Sequence, residues 1–289
     1  MSDRFRILSE PARSILASTS GFIREAGFTH SLTPARNCTF GCTYCYVPTM
    51  RIYGGLKRED WERWGQFTTY KENAAALLGR ALKPGMLIYC SPLVDPYQPA
   101  EEQAALMPSI LEALIRRPPA VFTIQTRGPL ILRDLPLLLE LDRRTSLRIS
   151  FSVTTDDEGV RRLYEPHCAP ITERLATIGA LSSTGLAVHA TLAPLLPCDP
   201  TRLLDAVLDV TAEPVVGDPL HLRETKRHGA TTREQAFRIA EKHHQEAWFQ
   251  SAFQARMVEQ MKQHAAQRGR AFAVGPEAFR WLTYSTHLE

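Results

Sequence analysis

Short β-rich runs recur through the middle of this chain with a helical pattern after each, and that alternation limits the fold more than any other feature. Residues 86–90, 120–126, 147–153 and 187–192 read as strands, with a weaker run near Pro214, Val215 and Val216. Helical patterns fall at about 101–117, 133–143, 171–184 and 200–210. Strand–helix–strand order repeating at roughly 30 residues predicts a parallel sheet, and the spacing suits a barrel of βα units. The 289 residues allow one large α/β domain or two small ones, and 44% hydrophobic residues can fill a sizeable core. No internal repeat or low-complexity tract breaks the pattern.

A second feature brings chemistry. Cys38, Cys42 and Cys45 lie in one stretch, Asn37 to Tyr46, at C-x3-C-x2-C spacing with Tyr44 just before the third cysteine. Three thiolates on one short loop can hold three irons of a [4Fe–4S] cube. The fourth iron then has no protein ligand and offers a place for a substrate or cofactor. Structural zinc wants four ligands, usually from paired knuckles, whereas Cys90, Cys168 and Cys198 stand isolated. A ferredoxin-type run supplies a fourth cysteine. Six cysteines in 289 residues are sparse for a disulfide framework. Zinc stays the alternative.

The triplet with Tyr44 resembles the signature of the radical S-adenosylmethionine (SAM) superfamily. That resemblance implies that SAM chelates the open iron through its amino and carboxylate groups. It implies that one electron then cleaves SAM to a 5′-deoxyadenosyl radical, which abstracts hydrogen from a substrate. The protein's part is ligation, orientation and shielding. The implied fold is an open, partial (β/α)6 barrel with the cysteine loop after a first strand near residues 28–33. The chain then divides into an N-terminal arm (1–27), the barrel (28–217) and a mainly helical C-terminal extension (218–289). A reductant such as flavodoxin or ferredoxin is the implied electron source.

The strand faces fit a bound ligand. Leu147, Ile149, Phe151 and Val153 oppose Arg148, Ser150 and Ser152; Phe122 and Ile124 oppose Thr123, Gln125 and Arg127; Val188, Ala190 and Leu192 oppose His189 and Thr191. The apolar set should pack beneath helices and the polar set should face inward. A closed barrel is normally filled with branched aliphatics, so a polar interior predicts ligand or water; half-exposed strands are the competing reading. On this face Arg127 suits the SAM carboxylate, because a guanidinium grips carboxylates with two prongs. Ser150 and Ser152 suit ribose or amino groups, and Gln125 suits the adenine edge.

The segment Cys90 to Glu102 follows the second strand, at the end where such folds place active-site loops. Asp95 before Pro96 starts a turn, clustered prolines stiffen it, and Glu101 or Glu102 falls in the first turn of the next helix. This Asp-Pro-Tyr-Gln-Pro loop recurs with other patterns: Thr126 to Asp134, Glu165-Pro166 with Thr172, Arg174 and Leu175, and Ala190 to Pro197. Together they resemble the spore photoproduct lyase-like branch of the superfamily over about residues 28–217. The resemblance implies roles for Tyr44 and Tyr46 flanking the third cysteine, with Tyr44 and Asp95 among the cofactor-binding residues and Tyr46 catalytic. It implies a hydrogen-donor cysteine near Cys90 and a DNA photoproduct as substrate, with nucleic acid as the corresponding partner. Alternatives are a radical SAM enzyme acting on a peptide or small molecule, and a non-catalytic iron–sulfur or zinc module.

Remaining features constrain less. A net charge of +3 from 34 basic and 31 acidic residues is too balanced to argue for nucleic acid by itself. No apolar run nears the roughly 20 residues that cross a membrane, and Met1 to Arg6 lacks the apolar core of a secretory signal. The cytoplasm is the expected location, which also suits unpaired thiols. Residues 51–64 mix cations with aromatics, either a surface helix or a base-stacking stretch. Residues 232–267 read as a long helical pattern, either continuous or broken once, on which His243 and His244 point in different directions. Residues 271–275 read as one more short strand.

Overall fold

The computed structural model describes residues 5–50, 62–224 and 231–284. Strands β1 (Arg6–Glu10) and β2 (Leu16–Ser18) lead to a short helix, α1 (Gly21–Glu25). Next come β3 (His30–Leu32), β4 (Ala35–Arg36), β5 (Phe67–Lys71) and α2 (Ala74–Ala81). The expected alternation follows: β6 (Leu87–Cys90), α3 (Glu101–Ala104), α4 (Met107–Arg116), β7 (Val121–Thr126), α5 (Leu135–Asp142) and β8 (Ser146–Ser152). It continues through α6 (Glu158–Tyr164), α7 (Ile171–Ser182), β9 (Val188–Leu192), α8 (Pro200–Leu208) and β10 (Val215–Gly217). The chain ends with α9 (Glu234–Lys242), α10 (Ser251–Gln267), β11 (Phe272–Val274) and α11 (Gly275–Arg280).

Eight strands form one sheet in the order β11-β10-β9-β8-β7-β6-β3-β2. Every pairing in it is parallel except β2 with β3. The strand expected near residues 28–33 is therefore present, and the short strand expected at 271–275 extends the sheet beyond β10. A small second sheet, β1-β5-β4, was not expected. Residues 1–27 and the C-terminal region thus both contribute strands. The helix expected over 101–117 is two helices, because Ala105 turns left-handed (φ 46°) and Pro108 opens the second. The pattern over 232–267 breaks where His244 takes φ 56° and a 3₁₀ turn intervenes. The cation–aromatic stretch lies outside the described residues up to Trp61, while Trp64 is buried. No helix among the described residues is long and apolar enough to cross a membrane.

The alternation of the strands decides where each face goes. Phe122, Ile124, Leu147, Ile149, Phe151, Val188 and Leu192 join one apolar core with the helices, each at most 1% exposed. Burying such side chains contributes roughly 1.5–3 kcal/mol apiece. Register then stacks the opposite face into rows across the strands. Tyr89 lies beside Thr123 and Thr123 beside Arg148, while Ser150 lies between Gln125 and His189. Tyr89, Thr123, Arg148, Ser150 and His189 are buried as well and Gln125 is half-buried, so the face does not open to bulk solvent along these strands. At one end the C-terminal segment closes over them. Thr123 Oγ1 donates to the Leu282 carbonyl at 2.8 Å and Arg148 Nη2 to the Tyr284 carbonyl at 2.9 Å.

Candidate active site

The cysteine loop leaves β3 and β4 and is fixed by close backbone approach. Gly41 (φ 63°) and Gly65 (φ 94°) abut, and a Cβ on Gly65 would lie 2.7 Å from the Gly41 Cα. Only glycine satisfies both the left-handed conformation and the contact. From the second loop, Gln98 reaches across: its Oε1 accepts from the Thr39 backbone N–H at 2.7 Å, and its Nε2 donates to Thr68 Oγ1 at 3.2 Å. Thr43 N–H donates to the Tyr164 carbonyl at 2.9 Å, tying the loop to the end of α6.

Cys38 and Cys42 are buried and Cys45 is half-buried. Their environments differ. Burial, then Asp95 and Cys42, push the Cys38 thiol well up. Burial, then Cys42, push Cys45 up to about 12. Cys42 goes the other way: the neighbouring Cys168 thiol lowers it most, and Arg127 helps against burial.

Behind Cys42 sits a carboxylate, Glu165, with no solvent exposure. Its Oε1 accepts from Arg127 Nη1 at 2.5 Å, from the Tyr44 hydroxyl at 2.6 Å and from Thr154 Oγ1 at 2.9 Å. Its Oε2 accepts from Arg174 Nη2 at 2.5 Å. Arg127 Nη1 also bonds the Tyr44 hydroxyl and lies 3.6 Å from Cys42 Sγ. Burial would raise the Glu165 carboxyl, but Arg174 and Arg127 hold it at about 2.

In front lies a cavity of about 1290 Å³. Cys38, Cys42 and Cys45 all line it, with Tyr44, Tyr46, Asp95, Gln125, Arg127 and Ser152. Cys90 and Ser150 are not brought to its wall. Cys90 is wholly buried in the apolar core, and Ser150 Oγ pairs with Thr191 Oγ1 at 2.6 Å. Asp95 is occupied in shaping its own turn, accepting from Thr126 Oγ1 at 2.6 Å, Arg127 N–H at 2.8 Å and Tyr97 N–H at 2.9 Å. Gln125 Oε1 accepts from the Tyr89 hydroxyl at 2.5 Å, and the Tyr46 hydroxyl donates to the Pro92 carbonyl at 3.4 Å. The sequence reading missed Asp218 and His221, a cavity-lining pair 2.6 Å apart just past β10. It also gave no role to Glu165, Arg174 or Gln98, although all three stood in the quoted patterns.

The donor geometry bears on zinc against a cluster. A tetrahedral zinc with Zn–S near 2.3 Å holds its sulfurs roughly 3.8 Å apart. Among the described residues, the only three such ligand groups with donor atoms all within 4.8 Å of one another are Cys42, Glu165 and Cys168. Glu165 is taken on both oxygens by guanidinium groups, which oppose a cation there. The three motif sulfurs do not form such a group, so at least one pair of them lies farther apart than the ligands of a single tetrahedral zinc.

No family model matches the sequence. An uncharacterized protein of Mycobacterium tuberculosis is 32% identical over an alignment of 215 residues that covers 69% of this chain and 61% of that protein. A Mycobacterium bovis protein matches with the same figures. The match thus spans less than two thirds of the length of these relatives. An uncharacterized protein of Acidianus two-tailed virus is 26% identical over 241 residues, 75% of each chain. Among solved structures, a cysteine-to-serine variant of spore photoproduct lyase superposes with a TM-score of 0.59 at 14% identity, covering 93% of this chain and 81% of the other. A variant of the same enzyme with bound AdoMet and dinucleoside spore photoproduct gives 0.57 at 13% identity, with the same coverage. The chain has the fold of spore photoproduct lyase.

Proposed function

We propose that this chain is a radical SAM enzyme of the spore photoproduct lyase-like branch, with Cys38, Cys42 and Cys45 holding a [4Fe–4S] cluster at the cavity wall. One observation carries the reading. All three motif cysteines line a single cavity, and Cys90, Cys168 and Cys198 do not. The chemistry such a cluster supplies when bound is one-electron reductive cleavage of SAM, which yields a 5′-deoxyadenosyl radical for hydrogen abstraction; flavodoxin or ferredoxin is the matching class of donor.

The chain's own residues do the rest. The Gly41–Gly65 contact and Gln98 hold the cysteine loop, and Glu165 holds Tyr44 and Arg127 against it. Gln125, Ser152, Tyr46 and the Asp218–His221 pair give the cavity polar groups that can orient SAM. A cavity of about 1290 Å³ exceeds the roughly 300–1,000 Å³ usual for one ligand, so it has room for SAM and a second molecule. Arg13 and Lys71 line it too, beside an Arg36 that is paired with Glu10 at 3.1 Å, and these cations favour a substrate with negative charge. Photoproduct reversal is the narrower reading, supported by those cations and by the lyase solved with dinucleoside photoproduct. It requires a hydrogen donor other than Cys90 in this conformation, because Cys90 is 0% exposed.

Reconstitution without oxygen tests the reading. The expected result is about four irons per chain with absorbance near roughly 400 nm, and 5′-deoxyadenosine released on adding SAM and dithionite. One zinc per chain, no such absorbance and no release would overturn it. Ultraviolet-irradiated DNA should raise the turnover above unirradiated DNA if the substrate is a photoproduct; equal rates with both would leave a peptide or small molecule.

A further inference from the structure

The ground behind Cys42 holds more than ligation requires. Cys42 Sγ, Cys168 Sγ and a Glu165 oxygen lie within 4.8 Å of one another. Cys168 is 6% exposed and does not line the cavity, so it meets Cys42 from the side away from it. Its backbone is anchored: Cys168 N–H donates to the Glu165 carbonyl at 3.1 Å, and its own carbonyl accepts from Arg161 Nη1 at 2.9 Å. Arg127 Nη1 approaches the same sulfur of Cys42 at 3.6 Å. Arg127 and Arg174 together face the single carboxylate of Glu165, which leaves one positive charge in excess beside the sulfur.

Hydrogen bonds to ligand sulfurs and local net charge are among the levers that set an iron–sulfur potential. A reduced cluster carries one more negative charge, part of it on its thiolates. Donors and cations beside a thiolate therefore stabilise the reduced form more than the oxidised form. A thiol placed behind a ligand, off the cavity wall, is a donor to that ligand and not a fourth ligand.

We propose that Cys168 is a positioning residue whose thiol donates a hydrogen bond to the Cys42 sulfur and, with Arg127, holds the cluster's reduction potential above the value three cysteine ligands alone would give. The inference rests on the cluster reading above. The test is a redox titration, followed by electron paramagnetic resonance, of the anaerobically reconstituted protein and its Cys168→Ala, Cys168→Ser and Cys198→Ala variants. Loss of the donor should lower the reduced-to-oxidised ratio at fixed poise about tenfold, the weak end of the range for a hydrogen bond to a charged group. That corresponds to a midpoint about 59 mV more negative for a one-electron couple. Cys168→Ser keeps a donor and should recover part of the shift, and Cys198→Ala should titrate as the parent does. A fully loaded Cys168→Ala protein at the parent potential would overturn the inference, as would loss of cluster iron in both Cys168 variants, which would make Cys168 a ligand. Failure of the parent chain to take up iron would instead overturn the cluster reading itself.

Discussion

Glu165→Gln removes one charge from the network behind Cys42 while keeping its shape. The Glu165 carboxyl sits at about 2 against an ordinary 4.5, because Arg174 and Arg127 overcome the effect of burial. At about 1.4 kcal/mol for each pH unit separating folded and unfolded values, this contributes on the order of 3 kcal/mol. The folded pKa is the lower one, so the unfolded chain takes up the proton first as pH falls. The contribution is complete above pH 4.5 and is lost progressively down to about 2. The variant has no such dependence. It also leaves the Arg174 side chain, 1% exposed, and that of Arg127, 13% exposed, without their anion. Losing one partner of a buried pair costs roughly 3–5 kcal/mol, a melting-temperature drop on the order of 10 °C for a chain of this size. Thermal unfolding by circular dichroism at pH 7, 5, 4 and 3 measures both effects. The gap between parent and variant should be widest at neutral pH and narrow steadily below pH 4.5. A variant melting within about 2 °C of the parent at pH 7, or a gap that stays constant to pH 3, would refute the reasoning.

The other expectations concern the loop. Cys38→Ser, Cys42→Ser and Cys45→Ser should each abolish stable iron binding, whereas Cys90→Ser should retain it; iron per chain after desalting decides this. Gly65→Ala places a Cβ 2.7 Å from the Gly41 Cα at φ 94°; it should destabilise the fold by roughly 1–3 kcal/mol and lower iron uptake. Gly79→Ala, whose added Cβ meets nothing within 4 Å, should do neither. Gln98→Ala strands the buried Thr39 N–H and should cost about 1–3 kcal/mol in urea unfolding. A midpoint equal to the parent's would show that water replaces the amide.

Much of the fold was legible because parallel strands carry their apolar residues at a period of two and the helices between them declare themselves by length. The sheet β1-β5-β4 escaped notice because neither Arg6–Glu10 nor Phe67–Lys71 has an apolar alternation, and the pairing of β1 with β5 joins segments some 60 residues apart. The helix break at Ala105 was equally hidden: alanine favours helix, and its left-handed turn goes with a side-chain partner, the buried Glu101, whose Oε1 accepts from the Met107 N–H at 2.8 Å. For the site, the chemistry of the cysteines and the inward polar face could be read from spacing. The partners of Arg127 and Gln98 could not, since Glu165 and Thr39 lie far from them in sequence and meet them only through the fold.

That distinction bears on how the cavity can bind a carboxylate. Arg127 is the guanidinium the sequence offers for one, yet its side-chain hydrogen bonds among the described residues all run through Nη1, to Glu165, Tyr44 and Cys42. A guanidinium engaged at one nitrogen keeps the other donors of its planar fork, so Arg127 can meet an incoming anion without first leaving Glu165. The second arginine makes this affordable in charge. Arg174 holds Glu165 through the opposite oxygen, 1% exposed and away from the cavity wall, so the carboxylate stays paired even when Arg127 is shared. One buried glutamate between two arginines thus fixes Tyr44 of the cysteine loop and leaves net positive charge at the wall. A single Arg–Glu pair in the same place would be neutral there and would offer an anion only hydrogen bonds.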